Sequence, residues 1–294
     1  MLFFKKKADT YLFQPSIRVD TTSINEESPI FVVGVGRSGT HFLAELFKMI
    51  PTLNAYHLDH IGNSVADSFL MYCNWHKLPM DYTGFFSSRN QLIQNAKSCN
   101  ARYLESNPYL SLFIKELKEY YPKSKILVVL RNPENVVLSH YNKGWYRDYS
   151  PDFNDFDKLP FYQYSIEKGN HFFGRIFPNT ESEFQDWNEL SQVGKITWMV
   201  VTINNWICES IKDLVDTDVT VLPIEHLDYE KYLSLSDFLN ISKKIDKNVF
   251  EDIKNKRPGK TNVYKLKSWD TLAENDFQKQ MESLNQDFRQ FYAR

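Results

Sequence analysis

Residues 30–47 read IFVVGVGRSGTHFLAELF. A β-branched apolar run ends in glycines, and apolar residues then recur at helical spacing, Phe42, Leu43, Leu46, Phe47 and Ile50, until Pro51 interrupts them. A buried strand that turns within a few residues into an amphipathic helix restricts the chain to folds in which helices pack back onto a sheet. The same unit recurs at residues 123–145, KSKILVVLRNPENVVLSHYNKGW. Extended segments at 52–60 (TLNAYHLDH), from 101 up to Glu105 (ARYLE) and at 219–227 (VTVLPIEHL) bring the strands to about five. Strands alternating with helices predict an α/β fold of three layers, a central parallel sheet covered by helices on both faces. No repeat or linker divides the chain, so residues 1–294 read as a single domain. Residues 1–28 read as a polar N-terminal arm, and 145–195 as an aromatic-rich insertion with no regular period.

Composition narrows the function classes. With a net charge of −2 there is no global basic field to draw nucleic acid or a membrane surface, so any anion site must be local. Cys73, Cys99 and Cys208 are far apart and form no metal or redox pattern. That usage fits a reducing, cytoplasmic setting. The first residues make a poor signal peptide, and no apolar run approaches the ~18 residues of a membrane span.

The glycine turn itself is a phosphate site by construction, because backbone N–H groups and the helix dipole both favour an anion there. Gly34, Gly36 and Gly39 form G-x-G-x-x-G, and Asp59 stands where a dinucleotide fold places its ribose-binding acid. The bulky Thr40, His41 and Phe42 that follow are at odds with that reading. A P-loop phosphotransferase would need Lys where Thr40 stands and Ser or Thr where His41 stands. The cation here is instead Arg37, flanked by the hydroxyls of Ser38 and Thr40, a set that can hold phosphate without a metal. At the second strand–helix junction Arg131 ends the strand, Pro133 suits the first helical turn, and Ser139 lies on the helix. Arg131 and Ser139 can grip one phosphate from two sides.

The string G-x-x-R-S-G-T-x-x-L at residues 34–43, followed by a strand ending Arg-x-Pro with Ser139 beyond it, resembles the sulfotransferase family. ESNPYL, YYPKSK, Glu225-x-Leu227 and SDFLNI are similar to family features too, and the resemblance spans roughly residues 29–145 and 195–270. It implies a P-loop NTPase-like fold and a metal-independent transfer from 3′-phosphoadenosine-5′-phosphosulfate (PAPS), with the bisphosphate PAP as product. By resemblance Gly36, Arg37, Ser38, Gly39, Thr40 and His41 take the 5′-phosphosulfate, with Arg37 on the leaving group, and Arg131 and Ser139 take the 3′-phosphate. Six basic residues and no acid lie between Lys254 and Lys267, and in this family a late basic loop closes over the nucleotide, here with Arg257 and Lys260.

The acceptor, a hydroxyl or amine of a small molecule or carbohydrate, needs a base. Family members carry one at or after the second strand, where this chain offers His57 or His60, with Asp59 as orienting partner. Glu105, ending another strand, is the alternative. Trp145, Tyr146, Phe153, Phe161, Tyr162, Phe172, Phe173 and Trp187 stand where acceptor walls can form. Competing readings are a nucleotide-dependent phosphotransferase, a dinucleotide oxidoreductase, and a non-catalytic relative that binds a partner. Acceptor identity and oligomeric state are not encoded in any of these motifs.

Overall fold

The structure, a computed structural model, describes residues 26–58, 64–147, 175–256 and 269–292. The strands are β1 (Ile30–Val33), β2 (Leu53–His57), β3 (Arg102–Ser106), β4 (Lys125–Leu130) and β5 (Val219–Pro223). The helices in chain order are α1 (Thr40–Lys48), α2 (Ser64–Trp75), α3 (Thr83–Ser98), α4 (Ile114–Tyr120), α5 (Pro133–Tyr141), α6 (Glu181–Asn188), α7 (Gln192–Ile211), α8 (Tyr229–Phe238), α9 (Lys247–Lys256), α10 (Thr271–Met281) and α11 (Gln286–Arg289).

The strands form one parallel sheet in the order β2–β3–β1–β4–β5. All four residues of β1 are buried, as a strand covered on both faces requires. Side chains alternate between two cores. Phe31 and Val33 join Tyr103, Ile126, Val128 and Leu130 under α3, α4, α5, α7 and α10. Ile30 and Val32 join Leu104, Leu127, Val129 and Leu222 under α1, α8 and α9. This is the three-layer α/β arrangement expected from the alternating strands and helices. Among the described residues no helix is long and apolar enough to cross a membrane.

One stretch differs from expectation. Part of the aperiodic region is helical, as α6 and the start of α7. α6 is too short for periodicity to register and rests on a cap at Thr180 and two buried side chains, Phe184 and Trp187. α7 begins at a cap on Ser191, whose side chain accepts from the Gly194 N–H.

The topology puts the turns after β1 and β4 side by side at the carboxyl edge of the sheet, where α/β folds bind ligands. The turn after β1 is fastened from both flanks. Ser111 Oγ accepts from Gly34 N at 3.0 Å and donates to Gly34 O at 2.9 Å. A Cβ at Gly34 would lie 2.4 Å from Val129 O, so only glycine fits there. Ser106 Oγ donates to Thr40 O at 2.7 Å. From α5, the buried His140 contacts Gly36 O through Nε2 at 2.9 Å. A carbonyl only accepts, so Nε2 carries the proton and Nδ1 is bare; it is buried and has no hydrogen-bond partner.

A buried ion cluster ties β3 to α2 and α3. The Arg89 guanidinium, 0% exposed, reaches Glu105 at 2.8 and 2.9 Å and Asp67 Oδ2 at 2.8 Å. Tyr103 OH and Asn107 Nδ2 also donate to Glu105, and Asn107 Nδ2 to Asp67. Burial opposes ionisation of both acids. Arg89 and the surrounding donors overcome this at Glu105 and hold its carboxyl below the ordinary range, whereas Asp67, which also feels Glu105, stays raised.

Removing Arg89 strands two carboxylates in a dry layer. Arg89→Ala is expected to cost about 3–5 kcal/mol in urea unfolding, whereas Arg89→Met combined with Asp67→Asn and Glu105→Gln is expected to recover part of that loss. A loss for Arg89→Ala no larger than for an exposed arginine would contradict this account.

His140 gives the stability a pH dependence. Burial, opposed by the Gly36 carbonyl and reinforced by Arg37, Arg175 and Lys143, pushes it down to about 3 from 6.5. Between those values the unfolded chain binds the extra proton, so stability rises with pH up to about 6.5 and then levels. His76, pushed down to about 4 by burial, adds in the same direction. In thermal unfolding across pH 4–7, His140→Gln is expected to remove a slope that can approach ~1.4 kcal/mol per pH unit. A slope as steep as wild type's would show that His140 is not its source.

Candidate functional site

The site begins with a strained cation. Arg37 adopts φ +72°, a left-handed conformation that costs a side-chain-bearing residue roughly 1–2 kcal/mol. In that conformation its Nε donates to Ser139 Oγ on α5 at 2.9 Å. Its carbonyl accepts from Arg131 Nη1, also at 2.9 Å. The cations of the two strand–helix junctions therefore meet at one place. Asn132 follows Arg131, and its N–H donates to Glu225 Oε1 at 2.9 Å, which places an acid from the β5 edge close by.

The electrostatics of this cluster favour an anion. Burial and then Arg131 lower the pKa of Arg37. Burial lowers Arg131, with Glu225 pulling the other way. Lys143, just past α5, is lowered by burial and by Arg37. Each shift records a positive charge that would gain from a negative neighbour.

The backbone around the cations supplies donors. Gly39 caps α1 at φ +114°, with no side-chain cap, and the first turn of α1 carries no acid. Its first-turn N–H groups are left to an outside acceptor. Ser38 is 2% exposed, and its Oγ is buried without a hydrogen-bond partner. An orphaned hydroxyl, open helix N–H groups and converging guanidinium groups fit a phosphate-bearing ligand.

Of the other expected phosphate ligands, Gly36 is held by His140, and Thr40 starts α1 with its side chain buried. His41 turns aside. It is exposed, lies 3.9 Å from Glu45, and stacks on His57 with ring centroids 4.8 Å apart at 28°. His57, a candidate base, ends β2 opposite Ser106. Asp59, His60, Arg257 and Lys260 lie outside the described residues.

Glu105 is not brought to this mouth. It is 1% exposed, and its oxygens are occupied by Arg89, Tyr103 and Asn107. Of the expected acceptor-side aromatics, Tyr146 and Trp187 are each 2% exposed and pack edge-on to each other in the core. Trp145 instead packs against His140, with ring centroids 4.0 Å apart and planes inclined by 42°, and carries the Arg175 guanidinium 4.7 Å from its ring centroid. Phe153, Phe161, Tyr162, Phe172 and Phe173 lie outside the described residues. Sequence reading missed Ser111, His140 and Lys143. His140 had one available cue, its place directly after Ser139.

Comparison with known proteins follows the same lines. A sulfotransferase from Alicyclobacillus acidocaldarius is 14% identical, with 79% of this chain and 91% of that one covered and a TM-score of 0.42. The sulfotransferase domain of the curacin biosynthetic pathway is 13% identical, with 88% and 98% covered and a TM-score of 0.45. A sulfotransferase from Mycobacterium avium is 10% identical, with 96% and 80% covered and a TM-score of 0.46. No curated protein matches the sequence. The sulfotransferase domain model matches residues 27–201, more than half the chain, and takes in both the β1 and the β4 junctions. The chain belongs to the sulfotransferase domain family.

Proposed function

We propose that the chain transfers a sulfuryl group from PAPS to a hydroxyl or amine of a small-molecule or carbohydrate acceptor. One observation carries this reading. Two motifs about a hundred residues apart in sequence are joined by the Arg37–Ser139 and Arg131–Arg37 bonds, which make a compact cationic cluster at the carboxyl edge of the sheet. A ligand with phosphates at both ends of a ribose suits such a cluster. Arg131 and Ser139 take its 3′-phosphate. The loop N–H groups, Ser38 and Thr40 take the 5′-phosphate. Arg257 and Lys260 close over the nucleotide.

In the transfer, Arg37 neutralises charge developing on the oxygen that bridges phosphate and sulfur. Sulfuryl transfer resembles phosphoryl transfer, in which positioning and charge stabilisation do most of the work. The cations of the chain supply this stabilisation without a metal. His57 takes the acceptor proton, with Asp59 and His60 on the segment that follows it, and Glu105 serves as a structural anchor. The free cysteines, two of them buried, suit a reducing, cytoplasmic setting.

Calorimetry with chelator present should show PAP bound by wild type and weakened about 10- to 100-fold in Arg131→Ala, the range for a hydrogen bond to a charged group. Preference for ATP with an absolute need for Mg²⁺ would instead indicate a phosphotransferase. His57→Ala should lower kcat with a PAP Kd close to wild type. An unchanged kcat would remove His57 from the proton transfer.

A further inference from the structure

α5 carries more of the site than Ser139. The chain keeps helical hydrogen bonding beyond Tyr141, with Asn142 N to Leu138 O and Lys143 N to His140 O, both 3.0 Å. Lys143 follows Ser139 by four residues, two past the end of α5, a spacing that puts it on the Ser139 side where the helical turn continues. Ser139 is the residue on which Arg37 rests. Arg131 lies at the opposite end, two residues before α5 begins. The three cations are therefore strung along α5 in the order Arg131, Arg37, Lys143.

Lys143 is exposed, and among the described residues no carboxylate pairs with it. An ammonium past a helix C-terminus ordinarily gains from the helix dipole. Here partial desolvation of the ammonium by its neighbours, and then Arg37, disfavour its charge. An anion between Lys143 and Arg37 would relieve both.

The donor proposed above carries three anionic groups in line: the 3′-phosphate, the 5′-phosphate and the terminal sulfate. The cations come in a matching order. With the first group at Arg131 and Ser139 and the second at the loop with Arg37, the third falls toward Lys143. We infer that Lys143 binds the sulfate end of the donor, a residue-level assignment that rests on the PAPS reading.

PAP lacks the sulfate, so comparing the two nucleotides isolates the contact. Kd values for PAPS and PAP are measured by calorimetry on the full chain, without acceptor and with chelator, for wild type, Lys143→Ala and Lys143→Arg. Lys143→Ala is expected to weaken PAPS about tenfold more than PAP, and Lys143→Arg to restore most of the difference. The thermal midpoint without ligand should hold or rise slightly in Lys143→Ala, because Lys143 is exposed and its removal relieves repulsion with Arg37. Equal weakening of both nucleotides would put Lys143 on the 5′-phosphate and overturn the inference. So would no change in either, or a loss confined to the unliganded midpoint. If wild type bound neither nucleotide, the PAPS reading would fall and the inference with it. If wild type bound PAP but showed no Lys143-dependent difference, only the inference would fall.

Discussion

The bond from Arg131 Nη1 to the Arg37 carbonyl is the contact on which the site depends. It sets two like charges close together in a half-buried place, an arrangement that folding alone does not favour. Burial disfavours the charge of Arg37 and of Arg131, and Arg131 adds to the effect at Arg37. A negatively charged ligand turns the same arrangement into a favourable one. Strain concentrated where a ligand acts is the usual pattern of functional sites.

Such a cluster holds its shape only if the loop beneath it cannot relax. Arg37 is left-handed, and relaxing that dihedral would swing its guanidinium away from Ser139. Three fastenings oppose the motion: Ser111 on both polar atoms of Gly34, Ser106 on Thr40 O, and His140 on Gly36 O. They come from β3, from the turn after it, and from α5. The loop therefore inherits the rigidity of the sheet rather than the mobility of an ordinary surface turn. His140 also leads outward. Its ring packs at a tilt against Trp145, Trp145 carries Arg175, and the neighbouring Tyr146 OH donates to Ile176 O at 2.7 Å. The two described ends that flank residues 148–174 are thereby clamped together against the base of the loop after β1.

Much of this fold was legible because its strands are short apolar runs that end in turn signals, and a parallel sheet buried on both faces calls for that pattern. The strand–helix junctions at Arg37 and Arg131 could be read for the same reason: a strand that runs through a glycine or proline turn into a helix has a fixed local context. The fastenings could not. Ser111 and His140 act on backbone atoms 77 and 104 residues away, and a side chain bonded to a distant backbone atom leaves no periodic trace. Glu105 looked like a base because it ends a strand. What redirects it is Arg89, sixteen residues earlier on a helix with little apolar periodicity. A wholly buried arginine is rare enough that no sequence rule anticipates it. Trp187 was misplaced by composition: aromatics cluster in acceptor walls and in cores alike, and only α6 reveals which this is.

The buried cluster around Arg89 has a further consequence for the β2 edge of the sheet. Replacing such a network with apolar side chains would often hold a fold equally well, so its presence asks for a reason other than stability. Its geometry supplies one. Asp67 lies in the first turn of α2, and Glu105 and Asn107 lie at the end of β3 and just past it. An apolar contact would let α2 slide along the sheet, because hydrophobic burial is non-directional. A guanidinium shared between two carboxylates permits only a narrow range of positions. The start of α2 is thereby fixed relative to the end of β3, beside the edge where His57 faces Ser106. The segment between β2 and α2, which contains Asp59 and His60, has both its ends held by rigid elements. The network is better understood as a positional constraint between α2 and the end of β3 than as a store of folding energy.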